Sequence, residues 1–253
     1  MNATARTTSR RLLQAVLLAA LLALTALVVV PGLARMGLVG APGGPPPPAS
    51  LPECRVADVP AQRDRFDEWA DTLLDTAHTL GPDYVPPDLA VAHVAGRAVE
   101  LRAFVVPELT EMIEAAREDD VPITVTSGYR SHRQQALLFR QLTAEHGHAD
   151  ASLSVARPGH SEHQLGTAVD LKGGADWLRQ HAWRFGFVLS YPASRSPAWT
   201  CYKPESWHYR YFGRKRAAAM HQSGLSPREW LWQNMDARRD DDRNDAESRR
   251  GAL

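Results

Sequence analysis

The segment RPGHSEHQLGTAVDL, residues 157–171, places two histidines, two carboxylates and two glycines within fifteen positions. Imidazole nitrogens and carboxylate oxygens suit Zn²⁺, which in catalytic sites takes three protein ligands and keeps a further position open. His163 and Asp170 lie seven positions apart. On a helix they would share a face, but Gly166, Thr167 and Val169 favour a bend followed by a strand. Along a straight strand an odd separation sends two side chains to opposite faces. The glycine turn is therefore what lets both residues converge. On spacing alone His160 serves as well as His163, and both stay open at this level.

A third ligand is offered by KPESWHYRY, residues 203–211. Glu205 and His208 are three apart, one helical turn or one bulged strand turn. That spacing lets the histidine bind metal while the carboxylate stands beside the attacking water as a base. Tyr202, Trp207, Tyr209, Tyr211 and Phe212 surround the pair and suit a buried floor or a substrate wall. Non-heme iron(II) oxygenases also use two histidines and one carboxylate. They want His and Asp much closer in sequence and leave Glu205 without a task. His78, His93, His132, His146 and His221 are expected on surfaces or helices.

The elements that must position these groups are legible in the hydrophobic pattern. Phe66, Trp69, Leu73, Ala77 and Leu80 fall at helical spacing, as do Leu109, Met112, Ile113 and Ala116 after a Pro107 suited to a first turn. Val121, Ile123 and Val125 alternate as a short strand. Ser131 with Gln134 forms a capping box that opens a helix through Leu138, Phe139 and Leu142. TAVDL reads as a strand, ADWLRQHAWRF as a helix ended by Gly186, and FVLSY as another strand. SPRE, residues 226–229, is a second capping box with proline at the first helical position. Helices flanking a few short strands make the fold class α+β.

The flanks differ from the body. Residues 1–11 carry Arg6, Arg10 and Arg11 and no acid, and residues 12–30 are apolar but for Gln14 and Thr25. Nineteen helical residues span about 28 Å, close to a bilayer core. Basic residues before the span place the N-terminus in the cytoplasm and the body outside. The expectation is a single-pass membrane anchor, with signal cleavage near Gly40-Ala41 and secretion as the alternative. Residues 31–52 form a Pro/Gly-rich linker whose APGGPPPPAS stretch, 41–50, favours a stiff polyproline spacer of roughly 30 Å. Residues 236–253 have mixed charge and almost no apolar side chain, as a disordered tail does. The folded domain is thus expected over 53–235. Lys+Arg and Asp+Glu are both 29, so no global basic field recruits nucleic acid, and nothing points to an obligate protein partner. Cys54 and Cys201, the only cysteines, are expected to pair in an exported chain.

SEHQLGTAVD fits the pattern S-x-H-x-x-G-x-A-x-D, ESWH fits E-x-W-H, and SGYRSHRQQ upstream is similar to an arginine-bearing segment of the same family. With these three motifs in order, residues 53–232 resemble the VanY-like zinc D-alanyl-D-alanine carboxypeptidases, which share a wider group with the vancomycin-resistance dipeptidases, lysostaphin-type peptidases and the hedgehog fold. The resemblance implies a small antiparallel sheet carrying one Zn²⁺, with His163, Asp170 and His208 as ligands, which sets His160 aside. It implies that Glu205 takes a proton from the attacking water and passes it to the leaving amine. Arg130 would hold the oxyanion or the substrate carboxylate, as its planar fork suits. Ser161 and Gln135 match substrate-contacting positions, although Ser161 could equally cap a turn and Gln135 lie on a helix surface. Trp207 and Tyr191 would line the pocket, with core packing as the alternative. The implied substrate is the peptidoglycan stem peptide, cut to release its terminal D-alanine. Endopeptidase cleavage elsewhere in stem or cross-bridge, or a non-catalytic wall-binding module, are the other readings. One departure stands out: between Asp170 and Trp177 the chain is only LKGGAD, short for this family, which bears on specificity rather than on the metal.

Overall fold

The structure is a computed structural model and describes residues 51–54, 58–61, 66–95 and 97–234. The apolar run 12–30, the linker up to residue 50 and the charged tail 236–253 lie outside the described residues. Among those described, no helix is long and apolar enough to cross a membrane.

In chain order the strands are β1 (Val59–Pro60), β2 (His78–Thr79), β3 (Leu89–Val94), β4 (Arg97–Arg102), β5 (Thr124–Ser127), β6 (Ala168–Lys172), β7 (Phe187–Leu189) and β8 (His208–Tyr211). The helices are α1 (Val105–Glu118), α2 (His132–His146), α3 (His148–Ser154), α4 (Ala175–His181), α5 (Pro197–Thr200), α6 (Arg214–Ser223) and α7 (residues 227–234). β3 and β4 form a hairpin, and β1 pairs with β2. The central antiparallel sheet has the order β5-β6-β8-β7. This is the expected α+β arrangement.

Period-two alternation gives that sheet two different faces. Val125, Val169, Leu171 and Tyr209 point into the main core, where Leu109 and Met112 of α1 meet them, fully buried. Asp170 and His208 point the other way, as alternation requires. The apolar stripe of α1, at positions 105, 109, 112 and 116, is thus the support that fixes the plane of the sheet from behind.

Both capping boxes form. Ser131 Oγ accepts the Gln134 N–H while Gln134 Oε1 accepts the Ser131 N–H, and Ser226 and Glu229 exchange the same pair of bonds. Gly186 ends the α4 segment in the left-handed region, where an added Cβ would lie 2.5 Å from the Tyr211 ring. The helix expected over 66–80 is shorter: a 3₁₀ helix covers Phe66–Asp71, and the chain then turns into β2. The cause is Asp75, whose Oδ1 accepts the backbone N–H groups of Ala77 and His78 and faces the His78 ring at 2.9 Å. An aspartate that bonds the backbone two and three residues ahead favours a turn over a helix.

Cys54 and Cys201 are joined in a disulfide with a Cα–Cα distance of 5.1 Å, as expected. Closing 147 residues removes much of the unfolded chain's freedom. The double variant Cys54→Ser, Cys201→Ser is expected to lose about 2–4 kcal/mol of unfolding free energy. A urea titration read by tryptophan fluorescence measures it.

Candidate active site

Each site residue is placed by a local feature of the sequence. His163 sits in a 3₁₀ turn, Glu162–Leu165, capped by Ser161, whose Oγ accepts the His163 N–H at 3.3 Å. Gly166 follows in the left-handed region, φ 70°, packed so tightly that an added Cβ would come within about 3.2 Å of Arg102, Leu89 and Pro86. This turn redirects the chain into β6, and so His163 and Asp170 converge. Asp170 and His208 are direct cross-strand partners on β6 and β8, which brings the third group to the same spot.

Asp170 Oδ1 lies 3.4 Å from His163 Nε2 and 3.1 Å from His208 Nδ1. The three ligand atoms all fall within 4.8 Å of one another. Tetrahedral zinc with ligand bonds near 2.0–2.1 Å requires separations of about 3.3 Å, which the two distances from Asp170 Oδ1 match. The remaining ring nitrogens are committed elsewhere. His163 Nδ1 donates to the Gly128 carbonyl at 2.7 Å, and His208 Nε2 faces Glu162 Oε2 at 3.0 Å. Outer partners of this kind fix tautomer and ring orientation, leaving His163 Nε2 and His208 Nδ1 for the metal. His160 is excluded, because its ring bonds the Asp75 carbonyl at 2.7 Å and Asp58 at 3.1 Å instead.

Glu205 stands at the edge of the cluster, its Oε2 3.8 Å from His208 Nδ1. Burial, reinforced by the Asp170 and Glu162 carboxylates and opposed by His208 and Arg130, pushes its carboxyl up to about 7. Burial alone would lower His208, but the Asp170 and Glu162 carboxylates on its two ring nitrogens raise it to about 10. A cation at the three ligands takes the place of that proton, so metal affinity must rise with pH.

Arg130 reaches the site from the segment after β5. Its guanidinium donates to Gln135 Oε1 at 2.8 Å and Ser127 Oγ at 3.1 Å, and lies 4.0 Å from Asp170 Oδ2. Gln135 is fully buried and anchored in turn by a 2.6 Å bond to the Ala156 carbonyl. It is therefore no surface residue of α2 but the bracket that aims Arg130. Tyr191 is buried with its ring 5.1 Å from that of His208, whereas Trp207 is 47% exposed and forms a rim rather than core. Arg130, Gln135, Ser161, Tyr191, Glu205 and Trp207 line one cavity of about 170 Å³ together with the three ligands.

Tyr202, beside the disulfide, takes the wall position expected of the aromatics around Glu205 and His208, whereas Glu162 was not anticipated. Glu162 is buried beneath the site, where it accepts from Ser190 Oγ at 2.6 Å and Arg210 Nη1 at 3.0 Å besides meeting His208. Burial opposes its charge, yet Arg210, His208 and Ser190 bring its carboxyl down to about 2. The available signal was Arg210: two positions after His208 it shares that residue's face, and a buried arginine needs a carboxylate.

Comparison with known proteins agrees with this geometry. Residues 98–214 match the VanY family, described as D-alanyl-D-alanine carboxypeptidase. A D-alanyl-D-alanine carboxypeptidase of Enterococcus faecalis is 30% identical over 202 residues, covering 72% of this chain and 73% of that protein. The solved structure of VanYB in complex with D-alanine-D-alanine superposes with a TM-score of 0.59 at 31% identity, covering 65% of this chain and 98% of the other. A structure of the vancomycin resistance D,D-pentapeptidase VanY with Zn(II) gives the same score and identity over 65% and 99%. With its ligand cluster, fold and sequence in accord, the chain belongs to the VanY family of D-alanyl-D-alanine carboxypeptidases.

Proposed function

We propose that this protein is a zinc D,D-carboxypeptidase that removes the terminal D-alanine from peptidoglycan stem peptides. The observation that carries this is the convergence of His163, Asp170 and His208, with Glu205 beside them but outside the ligand set. Zinc held there supplies a Lewis acid that lowers the pKa of water and polarises the scissile carbonyl.

The chain's own groups do the rest. Glu205 accepts the proton of the attacking water and returns it to the leaving amine. Its shelter from solvent suits a group that must both take and give a proton near neutral pH. Arg130, held in a fixed fork by Gln135 and Ser127, meets negative charge on the oxyanion or on the terminal carboxylate. Ser161, Tyr191 and Tyr202 help line the cavity, whose volume of about 170 Å³ suits one small residue. A small cavity beside the Arg130 guanidinium suits a terminal residue and its carboxylate, as an exopeptidase requires.

The apolar run 12–30 behind three arginines supports an N-terminal anchor. It would hold the domain outside the cytoplasm, where the wall is.

The test is product mass. The zinc-loaded chain is incubated with a synthetic pentapeptide stem ending in D-Ala-D-Ala and with a cross-linked dimer. Loss of a single alanine from the pentapeptide is the expected result. Cleavage only within the dimer or inside the stem would replace the reading by an endopeptidase.

A further inference from the structure

On the other side of Asp170 the cleft continues. A broad groove of about 680 Å³ shares Asp170 and Trp207 with the smaller cavity and runs along Thr126, Lys172 and the Gly173-Gly174 turn. The two spaces meet at Asp170 and Trp207, the smaller about 170 Å³ and the larger four times that volume. Arg130 lines only the smaller cavity, so a peptide whose terminal carboxylate meets it there lays its preceding residues in the larger groove.

The groove exists because the connection after β6 is so short. Gly173 and Gly174 both take left-handed backbone, and α4 begins at Ala175, so no longer loop folds back over this face. A side chain at Gly173 would collide with the Pro122 carbonyl at 2.4 Å. The turn is thereby confined to glycine.

Within the groove's lining Lys172 is the only cation. It follows Asp170 by two positions on β6, with Leu171 between them in the core, so it shares the face of the metal ligands about 7 Å along the strand. It is exposed and makes no ion pair among the described residues. The acids nearby are already engaged: Asp170 belongs to the ligand cluster, and Asp176 is paired with Arg179.

We infer that Lys172 is a specificity determinant that reads a carboxylate on the substrate about two residues before the scissile bond, so that the enzyme prefers an acidic peptide to its amidated counterpart. An extended peptide advances about 3.3 Å per residue, which places a side-chain carboxylate from that position within reach of the lysine stem. The inference rests on the carboxypeptidase reading and concerns only the larger groove.

Two pentapeptides ending in D-Ala-D-Ala, differing only in whether the third residue bears a free side-chain carboxylate or its amide, provide the test. The full-length zinc-loaded chain is expected to favour the acid about three- to five-fold in kcat/KM, the range of a solvent-exposed charge pair, through KM and not kcat. Added salt should shrink the preference. Lys172→Met should equalise the two peptides, and Lys172→Glu should invert their order. Equal kcat/KM in the unaltered chain, or a preference that survives in Lys172→Met, overturns the assignment. Calorimetry of both peptides on zinc-loaded Glu205→Ala reads the groove without turnover. Absence of any cleavage would then count against the carboxypeptidase reading, and equal binding of the two peptides against Lys172.

Discussion

Replacing Glu205 by alanine is expected to lower kcat for release of the terminal D-alanine by about 10²- to 10⁴-fold, the range of a lost general acid–base, while the chain keeps one zinc. Separating the two effects is the point of the experiment. Glu205 lies 3.8 Å from His208 Nδ1 and is not among the three groups that converge on the metal position. Metal analysis of the purified variant should therefore match the unaltered protein. Glu205→Gln preserves shape and should be nearly as inactive, because an amide cannot take the proton. Because Glu205 acts as a base it must be ionised, so kcat/KM should rise with pH through its pKa. In the metal-free protein that value is about 7, raised by burial and by the Asp170 and Glu162 carboxylates. A nearby divalent cation favours the ionised form, so the acid limb in the zinc enzyme should fall below 7. A variant that keeps activity within tenfold, or that loses its zinc, would remove Glu205 from the role of base.

Why this residue was visible in the sequence, and others were not, has a physical explanation. Ligand chemistry is carried by few residue types, and the spacings His163–Asp170 and Glu205–His208 are constrained by a turn and by a strand start. Gly166 supplied the decisive local clue, since a bend followed by a β-former allows convergence that a straight element forbids. The capping boxes at Ser131 and Ser226 were equally readable, because both partners lie within four residues. Asp75 was harder. Apolar spacing from Phe66 to Leu80 mimics a helix, and the aspartate that ends it works through bonds to Ala77 and His78 and a 2.8 Å ion pair with Arg228 across the molecule. Long-range pairing of that kind leaves no periodic trace. For Gln135 the family motif was needed to choose between a site position and a helix surface, because that surface becomes an interior only when the Ala156 segment packs over it.

Glu162 is the strongest case of a residue hidden by its neighbours, and its removal is the second large effect to expect. Adjacent to a ligand in sequence, it would be sent to the opposite face of a strand, or about 100° around a helix. The 3₁₀ turn instead sends it beneath the site, toward β8. There it joins two tasks. Its Oε2 fixes the His208 ring at 3.0 Å, and its Oε1 pairs with Arg210, which has no exposed surface. Arg210 is further held by the Trp69 and Thr72 carbonyls, which tie the first 3₁₀ helix to the sheet, but those acceptors do not neutralise its charge. Glu162→Ala should thus leave a buried guanidinium uncompensated and cost about 3–5 kcal/mol of stability. Zinc affinity should fall about 10- to 100-fold, since the ring that presents Nδ1 loses its outer partner. Glu162→Gln divides the two roles: its amide oxygen can still accept from either His208 or Arg210, while the charge that balances Arg210 is gone. The glutamine variant should therefore recover more of the zinc affinity than of the stability. Competition with a zinc chelator measures the first, and urea unfolding of both variants measures the second. Unchanged zinc affinity in Glu162→Ala would mean that Asp170 and the strand pairing of β6 with β8 suffice to orient His208, and would reduce Glu162 to a structural counter-ion for Arg210.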